Sequence, residues 1–377
     1  MSISTVSSRW PAGGRAAVAA FVWSLTAVAV GLWQLADPEG GPFADPVSRP
    51  VFGVPAALPD GSGAVALAAA GLAGLVLAGW GRRLWPVAAA LAVVFGLGVP
   101  GTSVMPLVGY SCALLMPVAL VAAPVLIARG RLGRTLAAAG VVAVVSGLVV
   151  AGPLAPSVVA GLGRELWSGL LAIGWYPLAE LWSAVGGACW AVLAVRRYRA
   201  RGAAAPAWAA PERAARWGRV AACAAFACAL PYGLTRLTWL TPWPFLMSAE
   251  ALEAEPGLRL WGLLLGAACL AGGVLCLGLA RRWGERWPYW VPVLRGRPVP
   301  PPVAIVPASV VAYLFTVAAV PFVVSAFRSG RPELVWMFPF FVWGPALGAA
   351  TVAYAVRRRA GASAGRADSL DGEAVRF

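Results

Sequence analysis

Glu180 stands in the run WYPLAELW as a carboxylate inside an apolar block. A carboxylate at membrane depth is costly unless it is protonated, paired or facing a polar cavity. Tyr176 and Pro177 lie one turn before it. Tyrosine adds a hydroxyl, and a proline inside a helix frees a backbone carbonyl one turn earlier, which suits a cavity wall. This pattern fits a cargo contact or a proton-coupling acid. It fits equally a structural partner for an arginine, or a residue at headgroup level. Arg236, in ALPYGLTRLTWL, is the cationic counterpart, with Pro231, Tyr232 and Gly233 just before it. It suits an anionic group, a lipid phosphate or Glu180, and equally a side chain snorkelling to the headgroups. Glu180, Arg236, Tyr176 and Tyr232 are therefore the candidate intramembrane polar site. Tyr110, Tyr313 and Tyr354 are further candidates to line a cavity.

Other chemistry is thinly represented. The chain has no histidine and no lysine, so every basic side chain is arginine. Imidazole metal ligation, a histidine base and histidine-ligated haem are excluded. Cys112, Cys189, Cys223, Cys228, Cys269 and Cys276 all lie in apolar stretches without a CxxC pair, and read as small buried hydrophobes. There is no GxxxxGK[ST] loop, no HExxH and no CxxCH. GYSCA at 109–113 lacks the GxSxG spacing of a nucleophile elbow. No catalytic residue, cofactor or metal is assigned.

The elements that must position the four candidates are membrane helices. Of 377 residues, 60% are hydrophobic and 12% charged, against roughly 25% charged in an ordinary soluble domain. Apolar blocks run at about 15–35, 62–80, 84–101, 107–128, 134–152, 167–195, 218–240, 258–280, 303–327 and 335–356, each close to the ~20 residues that cross a bilayer. The expected fold is an all-α, polytopic transmembrane bundle of about ten spans. The third block ends in GLGVPGTSVMP and is expected to break there. The sixth is longer than a span needs and is expected to be tilted, kinked, or interfacial from Glu165. Residues 1–360 read as one transmembrane domain, and 361–377, small and polar, as a disordered cytoplasmic tail.

Arginine orients the bundle. With the N-terminus inside, most of the 30 arginines fall in cytoplasmic segments, including Arg82, Arg83, Arg129, Arg131, Arg134, the run Arg196–Arg219, Arg281, Arg282 and Arg357–Arg359. The positive-inside rule then puts both termini in the cytoplasm, and the formal charge of +15 is explained by anionic lipid rather than nucleic acid. Trp80, Trp85, Trp283, Trp287 and Trp290 group near the inner face, and Trp33, Trp239, Trp243 and Trp261 near the outer, as aromatic belts do.

Two internal echoes compete. LAGLVLAGWGRRLWP at 72–86 matches LAGGVLCLGLARRWGERWP at 270–288, and AAFVWSL near the start matches AAFACAL from Ala224. These suggest a parallel repeat of spans 1–4, at about 15–128, in spans 7–10, at about 218–356. The rival echo joins ELWSAVGGACWAVLAVRRYR at 180–199 with VWGPALGAATVAYAVRRR at 342–359.

PYGLTRLTW at 231–239, RRWGERWPYWVPVLRGRPVPPPVAIVPA at 281–308 and WGPALGAATVAYAVRRR at 343–359 resemble the uncharacterised multi-pass integral membrane proteins of high-GC actinobacteria. The resemblance covers the C-terminal half. It implies a plasma-membrane location and no particular activity. The expected partners are membrane lipids and a small-molecule cargo. The favoured function is a secondary transporter or permease for a small or lipophilic compound. A membrane-embedded enzyme acting on lipid or isoprenoid substrates, and a non-catalytic membrane subunit or scaffold, are the alternatives.

Overall fold

The computed structural model describes residues 14–43, 62–79, 82–100, 125, 130–150, 156–172, 175–202, 206–287 and 295–374. Among them the regular structure is helical apart from one antiparallel bridge, Arg286 to Pro298. The helices are α1 (Arg15–Ala36), α2 (Ser62–Gly79), α3 (Trp85–Val93), α4 (Gly130–Val150), α5 (Pro156–Ala172) and α6 (Tyr176–Arg199). They continue as α7 (Pro211–Leu237), α8 (Ala249–Ala254), α9 (Pro256–Gly278), α10 (Pro301–Arg328), α11 (Glu333–Met337) and α12 (Phe340–Ala374).

Five stretches among the described residues are long and apolar enough to cross a bilayer: Arg15–Ala36, Tyr176–Arg199, Pro211–Leu240, Pro301–Arg328 and Glu333–Gly361. Gly63–Ala78, Trp85–Gly98 and Gly262–Gly278 are shorter apolar helices. On α1, Ala20, Trp23 and Ala27 are buried while Val22, Leu25 and Leu32 are each more than half exposed. A face of exposed branched aliphatics opposite a packed one is stable in hydrocarbon, not in water. The chain is thus an all-α, multi-pass membrane protein, which agrees with a location in the cell membrane.

The chain divides into two compact units, Met1–Val108 with Leu171–Ala204, and Gly109–Leu170 with Ala205–Phe377. In the first unit α1 packs on α2, α1 on α6, and α6 on α3. The α1/α2 pair is antiparallel and close. A Cβ on Gly31 would stand 2.7 Å from the Ala68 nitrogen, and one on Gly71 2.8 Å from the Val28 nitrogen. Without a hydrophobic drive between helices in lipid, such backbone approach supplies the packing energy.

In the second unit α7 packs on α9 and on α12, and α12 on α10. One end of this unit carries a strap. After α9 the chain turns, pairs Trp287 N–H with the Arg297 carbonyl (3.0 Å) and Val299 N–H with the Glu285 carbonyl (2.9 Å), and enters α10. Arg357 pairs with Glu285 at 2.6 Å and donates to the Leu279 carbonyl. Arg358 donates to the Glu285 and Val299 carbonyls, and the Tyr354 hydroxyl to that of Gly284. The described side chains of α4 and α5 include none that is buried.

Several expectations change. The sixth block is two helices, α5 and α6, with Trp175 just before α6. Pro177 lies in the first turn of α6, where its missing N–H has no intrahelical acceptor to serve, so it starts the helix instead of kinking it. Trp239 is no belt residue: it is 2% exposed and donates to the Phe245 carbonyl, while Trp243 is 82% exposed. The helix α12 runs on past Gly361 to Ala374, through most of the stretch whose composition suggests a disordered tail. The fourth block, with Tyr110 and Cys112, lies outside the described residues except for Val125.

Candidate functional site

Glu180 and Tyr176 lie on α6 in the first unit, and Tyr232 and Arg236 on α7 in the second. The acid's site begins with a defect in α3. The last turn of that helix widens into a π segment, Val94–Gly98, in which Val99 N–H reaches back to the Val94 carbonyl at 3.0 Å. Pro100 follows. It has no N–H, so the Phe95 carbonyl loses both backbone donors that a helix would offer it. Ser183 on α6 fills the gap, its hydroxyl donating to that carbonyl at 2.9 Å. A buried carbonyl left unpaired would cost about 1–3 kcal/mol. Gly187, one turn on, is in backbone contact with Gly96.

Glu180 precedes Ser183 by one turn and is 1% exposed. The antiparallel register of α6 on α3 therefore brings it level with the end of the π segment. It sits in the second turn of α6, about 6 Å along the axis from the helix start, at the end opposite Arg196, Arg197 and Arg199. This places the acid near one membrane face, inside the protein. The run after α1 covers that end. The Gln34 amide donates to the Pro38 carbonyl and accepts from Phe43 N–H (both 3.0 Å), and Asp37 accepts from Gly40 N–H at 2.9 Å. The folded-back turn sets Phe43 edge-on to Tyr176, 6.1 Å between ring centroids. Trp23 of α1 stacks on Trp182 of α6 at 4.9 Å, meets Phe95 edge-on at 4.6 Å and donates to the Trp182 carbonyl. Among the described residues, this end of the unit thus combines a buried carboxyl, a serine that caps a π segment and a cluster of aromatic rings.

Arg236 has another setting. Its guanidinium lies 4.0 Å from the Trp239 ring centroid and 4.9 Å from that of Tyr232. Its Nε is buried with no hydrogen-bond partner among the described residues. It occupies the last turn of α7, where a cation also meets the negative end of the helix dipole. Tyr232 packs on Phe338 at 4.8 Å. This is a packed cation–π stack, a third outcome beside snorkelling and ligand binding. Of the other tyrosines, Tyr354 belongs to the strap and is wholly buried.

Sequence reasoning missed three features: the π segment with its serine, the Phe43 cover, and the arginine grip on the strap. Gly96, Gly98 and Pro100 close together signalled the first, and Glu285, the one acid in an arginine-rich run, the last. Among the described residues no group of three His, Cys, Asp or Glu side chains is placed to hold a metal. No protein family, curated protein or solved structure matches the chain.

Proposed function

We propose that the chain is a ten-span carrier in the plasma membrane, with both termini cytoplasmic, that moves a small or lipophilic compound using Glu180. The observation that carries this reading is a carboxyl 1% exposed near one end of a membrane helix, one turn from the serine that caps a π segment and one turn from the tyrosine that meets Phe43. Burying an acid without gain is disfavoured, and intramembrane acids commonly mark substrate or proton pathways. The π segment supports it, because such defects concentrate at functional sites. The arginine pattern supports an outward-facing position for Glu180, with Tyr176 and Phe43 as the outer gate. The actinobacterial resemblance supports the location.

The test is transport in proteoliposomes holding a pH gradient and an entrapped pH dye, challenged with a panel of small amphiphilic compounds. The expected result is that at least one compound discharges the gradient through the wild-type protein, and that Glu180→Gln abolishes this without loss of folded protein. Discharge by no compound, or equal discharge by Glu180→Gln, would overturn the proposal.

A further inference from the structure

We infer that the two units are copies of one four-helix module, α1–α2–α3–α6 and α7–α9–α10–α12, and that residues 101–172 were inserted into the first copy. The five long and three shorter apolar helices are these eight. The packing order is the same in both. The second helix packs on the first, the first on the fourth, and the fourth on the third.

The register agrees residue by residue. In the first unit Gly74 meets Ser24, and Gly71 meets Val28. In the second, Gly273 meets Ala229, and Leu270 and Gly233 touch. One constant shift carries Ser24 and Val28 to Ala229 and Gly233, and another carries Gly74 and Gly71 to Gly273 and Leu270. The second contact has exchanged its small residue. Glycine is on the second helix in one copy and on the first helix in the other, as expected when a common interface drifts by compensating changes. The same shift carries the buried Ala17, Ala20, Trp23, Ser24 and Ala27 to Ala222, Ala225, Cys228, Ala229 and Tyr232, all buried.

The closing helices agree as well. Trp182, Gly187, Ala188, Ala194, Val195, Arg196 and Arg197 align with identical residues Trp343, Gly348, Ala349, Ala355, Val356, Arg357 and Arg358. Ser183 and Gly187 face Phe95, Gly96 and Ala92 of the third helix, while Gly344 and Gly348 face Thr316 and Ala312 of its counterpart. Both arginine pairs bind backbone at this end of their module, though not position for position. Arg197 donates to the Leu77 and Ala78 carbonyls at the end of the second helix (2.8 and 3.1 Å), its counterpart Arg358 to the Glu285 and Val299 carbonyls of the strap, and the neighbouring Arg357 to Leu279 just after α9. The two competing sequence echoes are then one repeat, once α6 and not the fourth apolar block closes the first copy. The antiparallel contact of α6 with α3 requires the insert to leave and re-enter at the same end of the module.

The alignment separates scaffold from chemistry. The arginine pair and Trp182/Trp343 belong to the module. Glu180, Tyr176, Tyr232 and Arg236 fall opposite Phe341, Met337, Ala27 and Gly31. Each copy has acquired its polar residues alone, so the acid is not a requirement of the fold.

The experiment is a register-controlled graft in the full chain. Residues 180–199 are replaced by 341–360, together with Trp23→Cys, because Leu347 then takes the place of Gly186, which abuts the Trp23 ring. A second graft is slipped by two residues, using 343–362. Folding is read by size-exclusion homogeneity and thermal unfolding in detergent, with no activity needed, so the result is independent of transport. The in-register graft is expected to be monodisperse and to unfold cooperatively, with the slipped graft aggregated. Equal behaviour of the two, folded or aggregated, would overturn the duplication.

Discussion

Glu180 is distinguished by where its helix begins. A carboxylate in the second turn of α6 needs only a short path to one membrane face, yet it is buried, on a helix whose first residue, Tyr176, is met by Phe43. Ser183 beside it answers to the backbone of α3. Ser183→Ala should orphan the Phe95 carbonyl and lower stability by about 1–3 kcal/mol, read as a drop in unfolding temperature; an unchanged temperature would mean another donor reaches that carbonyl. Arg236 is a packing residue on this account. Arg236→Met should cost about 1–2 kcal/mol of stability through its stack on Trp239 and Tyr232, and leave transport by the folded protein intact. Loss of transport with unchanged stability would instead make Arg236 part of the cargo path.

Helix pairs in this chain are set by small residues, and the spacing of glycines decides how close two backbones come. At the α1/α2 crossing, Gly71→Leu should destabilise by about 1–3 kcal/mol by overpacking. Adding Val28→Gly reproduces the arrangement found at Gly233 and Leu270, and should restore more than half of the loss; Leu25→Gly, on the exposed face, should restore none. Equal effects of the two second-site changes would show that the crossing is not packed as described. The apolar blocks of these helices were legible because bilayer thickness imposes a length that composition reveals. The end of the third block's helix at Gly98 was legible from its glycines and proline, and the rest of GLGVPGTSVMP, from Gly101, lies outside the described residues. The division of the sixth block was not, since Pro177 reads alike as a kink or as a helix start until the neighbouring turn is known. Trp239 was misread because a tryptophan at a helix end suits either a headgroup belt or a buried cation–π stack, and only the position of Arg236 chooses between them. The arginine runs were read as orientation signals; their second use, gripping helix ends and the strap, depends on contacts far apart in sequence.

At the scale of the whole molecule, two modules with the same packing order carry different polar groups, an acid in one and a stacked cation in the other. On the duplicated scaffold inferred above, such asymmetry suits the proposed carrier, in which one half supplies the coupling chemistry. The outward position of Glu180, beneath an aromatic gate, is the central claim. It is tested most directly by replacing Glu180 with cysteine in intact membranes and following its alkylation by a membrane-impermeant thiol reagent, with site-resolved mass spectrometry to separate it from the native cysteines. The account predicts slow labelling from the extracellular side that is accelerated at least about tenfold, a change of roughly 1.4 kcal/mol in gate opening, when Phe43→Ala removes the cover. Ala20→Cys, at a fully buried position of α1, should stay unlabelled in both backgrounds. Labelling at position 180 no faster than at position 20, with or without Phe43, would contradict it.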